Sequence, residues 1–520
     1  MRELAAAAVL AFGALAALPA AADDAAQRLY EAACAVCHGK DRLGGIGPAL
    51  LPENLGRLRR GEAAKVIAFG REATQMPGFS ATLAPEEIER LAAFVMTPLP
   101  AMPRWEIAEI AASRTQLADP DQRPVAPRFA ADPLNLFVVV ESGDHHVTVL
   151  DGDRFEPLAR FPSRFALHGG PKFSPDGRFV YLMSRDGWVT KYDLYALEVV
   201  AETRAGINAR NIALSGDGKV VAVANYLPHT LVLLDAHDLS PLKVIEVKDA
   251  RGTTSSRVSA VYQAARRKSF IVALKDVPEL WEIFYEEDPP KVYAGFVHSY
   301  EKGMTEGLAE KGRFPIRRIR LDEPLDDFFF DPPYRNVVGS SRDGGRGVVV
   351  NLDVGRPIAT IDLPGLPHLG SGIAFEHGGR WVMATPHLKE GALSVIDLAT
   401  WTVVKRIATP GPGFFLRGHQ NTPYVWADVF MGKPNDALQI IDTRSLEIVR
   451  SLTPSPGKTA GHVEFTRDGR YALVSVWDME GALVVYDAAT FEEVKRLPMK
   501  KPSGKYNVYN KITLSPGTSH

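Results

Sequence analysis

The sequence predicts an α+β multidomain chain: a small all-α domain at the N-terminus, followed by an all-β eight-bladed propeller. Three observations carry that expectation. The only two cysteines in 520 residues stand together in Cys34-Ala35-Val36-Cys37-His38, inside a stretch of helical periodicity. From residue 131 to the C-terminus a unit of short apolar runs and Gly-containing turns recurs at intervals of 42 to 45 residues, apart from one gap of 118 residues between Asp235 and Asp353; this is the period of a four-stranded propeller blade. Between the two lies a connector, 101–130, broken by Pro103, Pro120, Pro124 and Pro127.

A chain this long needs more than one core. Its hydrophobic content of 46% and charged content of 23% are those of an ordinary globular protein. The net charge of −2, with no basic stripe, argues against a nucleic-acid partner. Met1-Arg2, an apolar run from Leu4 to Leu18, and Ala20-Ala21-Ala22 before Asp23 predict a secretory signal over 1–22. The run is short for a membrane span of ~20 residues, and nothing later is apolar for long enough. The expectation is an exported, periplasmic protein without a membrane span.

From 23 to 100 the pattern is helical. Ala25 to Ala35 reads as a helix leading into the cysteine motif, and Pro85 to Val95 as an amphipathic closing helix. Two cysteines three apart, followed at once by histidine, form the attachment pattern of c-type haem. The thiols of Cys34 and Cys37 are spaced to form thioethers with two vinyl groups, and the His38 imidazole then lies under the iron. A zinc site would need a second pair of ligands nearby, and a thioredoxin-like redox pair a βαβ context; neither is present. Met76, flanked by Pro77 in the loop before the closing helix, is poorly placed as core filler. Small class I c-type cytochromes place their sixth iron ligand in such a loop, and Pro48 matches the proline that packs beside their histidine. This segment resembles a class I cytochrome c domain, with His38 and Met76 as its implied iron ligands.

In the second region, Ser174-Pro175-Asp176-Gly177-Arg178 precedes an apolar run and, later, Asp193. The grammar recurs at Ser215-Gly216-Asp217-Gly218 with Asp235, at His377-Gly378-Gly379-Arg380 with Asp397, and at Arg467-Asp468-Gly469-Arg470 with Asp487. Looser copies end at Asp151, Asp353 and Asp442. A divergent copy around Ser269-Phe270-Ile271-Val272 completes eight units, with surplus residues at 286–312. The β-branched runs are short and broken by turns, which excludes helices.

In a propeller each Asp-Gly turn joins the innermost strand of a blade to the second. Residues shortly before it start the innermost strand, at one end of the central channel. His168, Arg210, His368 and His462 hold such positions in different blades and should converge near the axis. Imidazoles and a guanidinium there suit an iron macrocycle bearing carboxylates. His145, His146, His229, His387 and His419 fall in connecting segments and are expected to be surface or supporting residues rather than ligands.

A c-type cytochrome joined to an eight-bladed propeller resembles cytochrome cd1 nitrite reductase and its relatives, which hold haem d1 in the propeller. The telling pieces are His168 with Ser174–Asp193, Pro367-His368-Leu369-Gly370, and Gly504-Lys505-Tyr506-Asn507-Val508-Tyr509-Asn510. The resemblance implies His168 as proximal ligand of the macrocycle iron and His368 as one of two distal histidines. Where the second distal histidine would stand, the chain reads Pro324-Leu325-Asp326-Asp327-Phe328-Phe329-Phe330-Asp331-Pro332. Conversely, His462 and Tyr506 stand where the reductase has no histidine and a phenylalanine. That combination is similar to the dihydro-haem d1 dehydrogenases, which oxidise a propionate side chain to an acrylate to complete haem d1.

The implied function is an oxidoreductase with covalent haem c as electron acceptor and dihydro-haem d1 or haem d1 bound without covalent attachment. His462, with an expected pKa near neutrality, would be the base and Tyr506 the hydrogen-bonding relay. Arg210 and, secondarily, Arg257 would hold the macrocycle's other carboxylates. Implied partners are the tetrapyrrole, a small electron-accepting redox protein, and nitrite reductase as recipient of haem d1. Two other readings stay open: a nitrite reductase making nitric oxide, and a non-catalytic haem d1 carrier or electron-transfer protein.

Overall fold

A computed structural model describes residues 18–56, 58, 61–71, 74–168, 170–294, 308–310, 312–340 and 345–516. Most of the expected signal, 1–17, lies outside them, as does the middle of the 286–312 surplus. The chain divides into two units, Met1–Ala101 and Met102–His520. No helix among the described residues is long and apolar enough to cross a membrane.

The first unit holds five helices among its described residues: α1 (Leu18–Ala33), α2 (Ala35–His38), α3 (Pro52–Leu55), α4 (Glu62–Phe69) and α5 (Pro85–Val95). The helix expected to run from Ala25 through Ala35 breaks at Cys34 and restarts as the single turn α2. The closing helix has the expected bounds. Proline at its first position costs no hydrogen bond there, and the Ala84 N–H is taken by Glu87 Oε2 at 2.8 Å. Tyr30, Cys34, Ala64, Ile67, Ile88, Leu91 and Val95 form the core.

The second unit is a propeller of eight antiparallel sheets among the described residues, seven of four strands and one of five. Its ring is closed by joining the two ends of the unit. Pro502–Asn507 is the innermost strand of the blade whose outer three are Leu136–Glu141, His146–Asp151 and Glu156–Pro162. Leu136–Glu141 is buried along its whole length, as expected for a strand covered on both faces. Outermost strands such as Arg356–Asp362 alternate between exposed and covered residues.

The repeated residues have local jobs. Gly177, Gly218 and Gly469 adopt φ of 72°, 71° and 75°, which the tight turn after each innermost strand requires. The Asp that ends a third strand caps the turn to the fourth: Asp193 Oδ1 accepts from the N–H of Tyr195 and Asp397 Oδ1 from Ala399. In the fifth blade that role falls to Asn351, which accepts from the N–H groups of Asp353 and Val354. The blade therefore ends its third strand two residues before Asp353, the residue expected from spacing, because an asparagine oxygen caps the turn as well. The 286–312 surplus leaves between the third and fourth strands of the fourth blade, Glu279–Phe284 and Ile316–Arg320, and carries a short hairpin, Tyr293–Ala294 with Leu308–Ala309.

The connector is no loose tether. It carries α6 (Ile107–Ser113), whose Ile110 is buried in the propeller core. Thr115–Gln116 adds a fifth strand outside Glu198–Arg204, and Trp105 Nε1 donates to the Arg204 carbonyl at 2.8 Å. Arg123 pairs with Asp193 at 2.8 Å and Glu198 at 2.5 Å.

Candidate functional site

In the first unit, Cys34 follows the end of α1 and Cys37-His38 closes α2. Both cysteines are unbridged, and burial pushes the Cys34 thiol up to about 11. His38 Nδ1 donates to the Pro48 carbonyl at 2.8 Å, so proline supplies a backbone acceptor rather than only a packing surface. That tie leaves the Nε2 lone pair for a metal. A Cβ added to Gly47 would come within 2.7 Å of the His38 ring, so the imidazole is held from that side. Two thiols and a backbone-fixed imidazole within five residues fit a covalent c-type haem. Met76 lies in the coil between α4 and α5, its N–H on Thr74 Oγ1 and its carbonyl accepting from Arg71.

In the propeller, His168 precedes the innermost strand Lys172–Phe173, and Arg210 stands on the innermost strand Asn208–Leu214 of the next blade. His168 Nδ1 donates to the Arg210 carbonyl at 2.9 Å, and Arg210 Nη1 donates to His168 Nε2 at 2.8 Å. One nitrogen faces an acceptor and the other a donor, which fixes the neutral Nδ1–H tautomer. Burial works against the Arg210 charge, but Tyr226, Asp326, Asp327 and Tyr262 outweigh it and hold the guanidinium above its usual pKa.

His368 leads into the short turn Leu369–Ser371. Its Nδ1 lies 2.8 Å from the Phe414 carbonyl and 2.6 Å from Ser371 Oγ, and its ring packs 4.1 Å from the Phe414 ring. Its Nε2 is 3.8 Å from Asp327 Oδ2. Asp327 is the residue that the histidine-free segment puts here. It also accepts from the Tyr262 hydroxyl at 2.8 Å and from the Gly370 N–H at 2.7 Å.

His462 is the third residue of Ala460–Phe465 and sits in a bulge, with φ of 50° and a break in strand register between Gly461 and Glu464. Its ring meets Phe415 edge-on at 4.7 Å and Tyr506 at 5.0 Å. His462 and Tyr506 are both buried. Tyr506 pairs with Val138 and is followed by Asn507 opposite Phe137, so it lies near the C-terminal end of its strand. The expected near-neutral pKa of His462 is corrected by this setting. Burial, then Lys505 and Arg417, drive it well below 6.5, because a second positive charge is costly there. Burial and Glu464 raise the Tyr506 phenol above its ordinary value, against Arg417. It is a donor at neutral pH, not a base. Lys505 is fully buried, donates to Ser475 Oγ at 3.0 Å, and is pulled down to about 7 by burial.

Three pairs are thus brought together: His168 with Arg210, His368 with Asp327, and His462 with Tyr506. Arg257 is paired with Asp276 at 2.5 Å, its guanidinium 5.5 Å above the ring of Tyr226, and Tyr226 and Asp326 raise the pKa of Arg257 as they do that of Arg210. Among the connecting-segment histidines, His229 Nδ1 bonds Ser255 Oγ at 2.9 Å and His146 Nδ1 the Asp144 carbonyl at 2.8 Å. His387 and His419 are buried rather than on the surface; burial, and then Arg406, push His387 down to about 4.

Residues 131–511 match the cytochrome D1 heme domain family, and 21–95 the family of cytochrome c oxidase cbb3-type subunit III. The chain is 57% identical over 506 residues to a dihydro-heme d1 dehydrogenase of Pseudomonas aeruginosa, covering 97% of this chain and 98% of that one. It is 25% identical to a nitrite reductase of Stutzerimonas stutzeri, covering 94% and 92%. The solved structure of the dihydro-heme d1 dehydrogenase NirN in complex with DHE superposes with a TM-score of 0.87 at 57% identity, covering 94% of this chain and 99% of that one. A cytochrome c unit, an eight-bladed propeller and a full-length match at this identity place the chain in the family of the dihydro-heme d1 dehydrogenases, within the cytochrome D1 heme domain proteins.

Proposed function

We propose that this protein is an exported, periplasmic oxidoreductase of haem d1 biosynthesis, converting a propionate side chain of dihydro-haem d1 to the acrylate. The observation that carries this reading is the 57% identity over nearly the whole of both chains with a protein of that name. The conversion turns CH2–CH2 into CH=CH, breaking two C–H bonds and releasing two protons and two electrons. His168 and His368 hold the iron of the substrate. His168 already has the tautomer for this, since its Nδ1–H is spent on the Arg210 carbonyl. Arg210 must release Nε2 as iron arrives, which frees its guanidinium for a substrate carboxylate; Arg257 is the second candidate for that task. Neutral His462 accepts one proton from the side-chain carbon, the second proton leaves to solvent, and Tyr506, held protonated, orients by donating a hydrogen bond. Covalent haem c, held by Cys34 and Cys37 with His38 and Met76 as iron ligands, supplies a one-electron acceptor. A small redox protein drains the electrons, and nitrite reductase receives the product.

The test is to mix the holoprotein with dihydro-haem d1 and an electron acceptor and analyse the extracted macrocycle. Conversion to haem d1 is expected; a stable bound spectrum with unchanged substrate supports the carrier reading. Loaded with haem d1 and supplied with electrons, the protein should reduce nitrite slowly or not at all, because Asp327 stands in the segment where a second distal histidine is missing. Nitric oxide production at a reductase rate overturns the choice.

A further inference from the structure

We propose that Asp428 is the positioning residue of this site, its single carboxylate fixing the backbone that carries both the acceptor of His368 and the ring of His462. The inference rests on the dehydrogenase reading above and adds what sets the two histidines relative to each other.

Asp428 ends the second strand of the seventh blade, Tyr424–Asp428, and is buried. Its Oδ1 accepts from the Phe414 N–H at 2.7 Å and the Phe430 N–H at 3.3 Å. The Phe415 N–H lies 3.2 Å from both oxygens, and Oδ2 accepts from the His462 N–H at 3.4 Å. Two of these donors lead straight to the site. The Phe414 carbonyl faces His368 Nδ1 at 2.8 Å, and the Phe415 ring meets His462 at 4.7 Å. The fourth holds His462 itself in its left-handed conformation, a backbone state that L-residues keep only when the surroundings enforce it.

The neighbouring backbone is cleared for Asp428, on its carboxylate side by Gly461 and on its carbonyl side by Gly413. A Cβ on Gly461 would come within 2.7 Å of Asp428 Oδ2, and one on Gly413 within 2.6 Å of the Asp428 carbonyl oxygen. An ionised carboxylate is acceptor-only and can serve four N–H groups; an asparagine would turn an amide donor against some of them. Burial pushes the Asp428 carboxyl up to about 6, with the N–H groups of Phe414, Phe415, Phe430 and His462 opposing, so it is ionised at neutral pH. Among the titratable groups facing it, Lys505 senses its charge, and His462 touches it through the backbone N–H.

The chemistry needs this precision. A base works only within hydrogen-bond reach of the proton it removes. With the substrate iron on His368, the span from His368 to His462 decides which side-chain carbon faces the base. A displacement of about 1 Å can cost ~100-fold in rate.

The test compares Asp428→Asn with wild-type holoprotein, with Gly461→Ala as a second route to the same displacement. Three quantities are measured: dihydro-haem d1 affinity by visible titration, the bound-state spectrum, and the single-turnover rate. Both variants are expected to bind nearly as tightly, since His168 is untouched, but to turn over ~100-fold more slowly. Their bound spectra should move toward that of His368→Ala. Rate, affinity and melting temperature falling together, with a wild-type bound spectrum, would reduce Asp428 to a structural role and overturn the proposal. Wild-type rates and spectra in both variants overturn it too. A wild-type protein that binds but does not oxidise the substrate defeats the dehydrogenase reading instead, and the spectra still decide whether Asp428 positions His368.

Discussion

Arg210 occupies both ring nitrogens of His168, its carbonyl accepting from Nδ1 at 2.9 Å and its Nη1 donating to Nε2 at 2.8 Å. One residue both prepares the histidine for a metal and covers the lone pair a metal would use. The backbone tie survives any side-chain replacement, so Arg210→Ala keeps His168 oriented and removes only the guanidinium. Substrate titration should show His168 ligation retained but affinity lowered by about 30-fold or more, the usual cost of stranding a buried charge partner. His168→Ala should lose the ligation itself. Wild-type affinity in Arg210→Ala would remove the guanidinium from the list of carboxylate partners.

The cytochrome unit makes a separate prediction. Cys34→Ala or Cys37→Ala should lose much of the covalent haem, and His38→Ala normal low-spin ligation, because the imidazole fixed by Pro48 is lost with the side chain. Met76→Ala should abolish the sulfur-to-iron charge-transfer band in the far red of the oxidised spectrum. A band that survives the substitution rules Met76 out as ligand.

Local features were legible because their causes are local. Gly177 and Gly469 announce positive φ, Asp193 and Asp397 cap the turns they end, and Cys34-Ala35-Val36-Cys37-His38 needs no partner elsewhere in the sequence. Polar residues before the innermost strands pointed to the axis for the same reason. What stayed hidden depends on contacts between blades. Asp428 reads as an ordinary strand end, and only the approach of Phe414 and His462 from the flanking segments gives it four donors; an acid inside the apolar run Tyr424-Val425-Trp426-Ala427-Asp428-Val429-Phe430 was the available signal. Asp327 was noticed as an absent histidine, not as a partner of Tyr262 and Gly370. The pKa of His462 was misjudged because burial among the blades, and then Lys505 and Arg417 from other blades, lower it.

Burying the Asp428 carboxylate has a measurable effect on stability. Its folded pKa, about 6, lies above the unfolded value of 3.8, so the folded state binds more protons between those values. Its contribution is therefore full below pH 4 and is lost as pH rises through 6. Asp428→Asn lacks that loss. The stability of the variant relative to wild type should rise between pH 4 and pH 7, by up to about 3 kcal/mol, whatever the fixed cost of the amide. Melting temperatures of both proteins across that range check the slope; a difference that is flat or falls with pH contradicts a raised Asp428 pKa.

His462 and Tyr506 face each other at 5.0 Å in surroundings that push their protonation in opposite directions. Burial, Lys505 and Arg417 keep His462 neutral through the whole neutral range, so it accepts a proton without first having to lose one. Burial and Glu464 keep Tyr506 protonated, so it donates. A base whose conjugate acid is this poorly stabilised is weaker than a solvent-exposed histidine, and what favours it is placement beside the substrate carbon rather than basicity. His462→Ala should leave dihydro-haem d1 binding largely intact and slow single-turnover oxidation by ~10²–10⁴-fold. Tyr506→Phe keeps the ring that packs on His462 and removes only the hydroxyl, so it should slow turnover by less. His462→Gln, which restores bulk and polarity without a proton acceptor of imidazole strength, should not rescue the rate. Near-normal turnover in both His462→Ala and Tyr506→Phe would leave the oxidation without its residues, and the protein would then be a carrier of the macrocycle it binds.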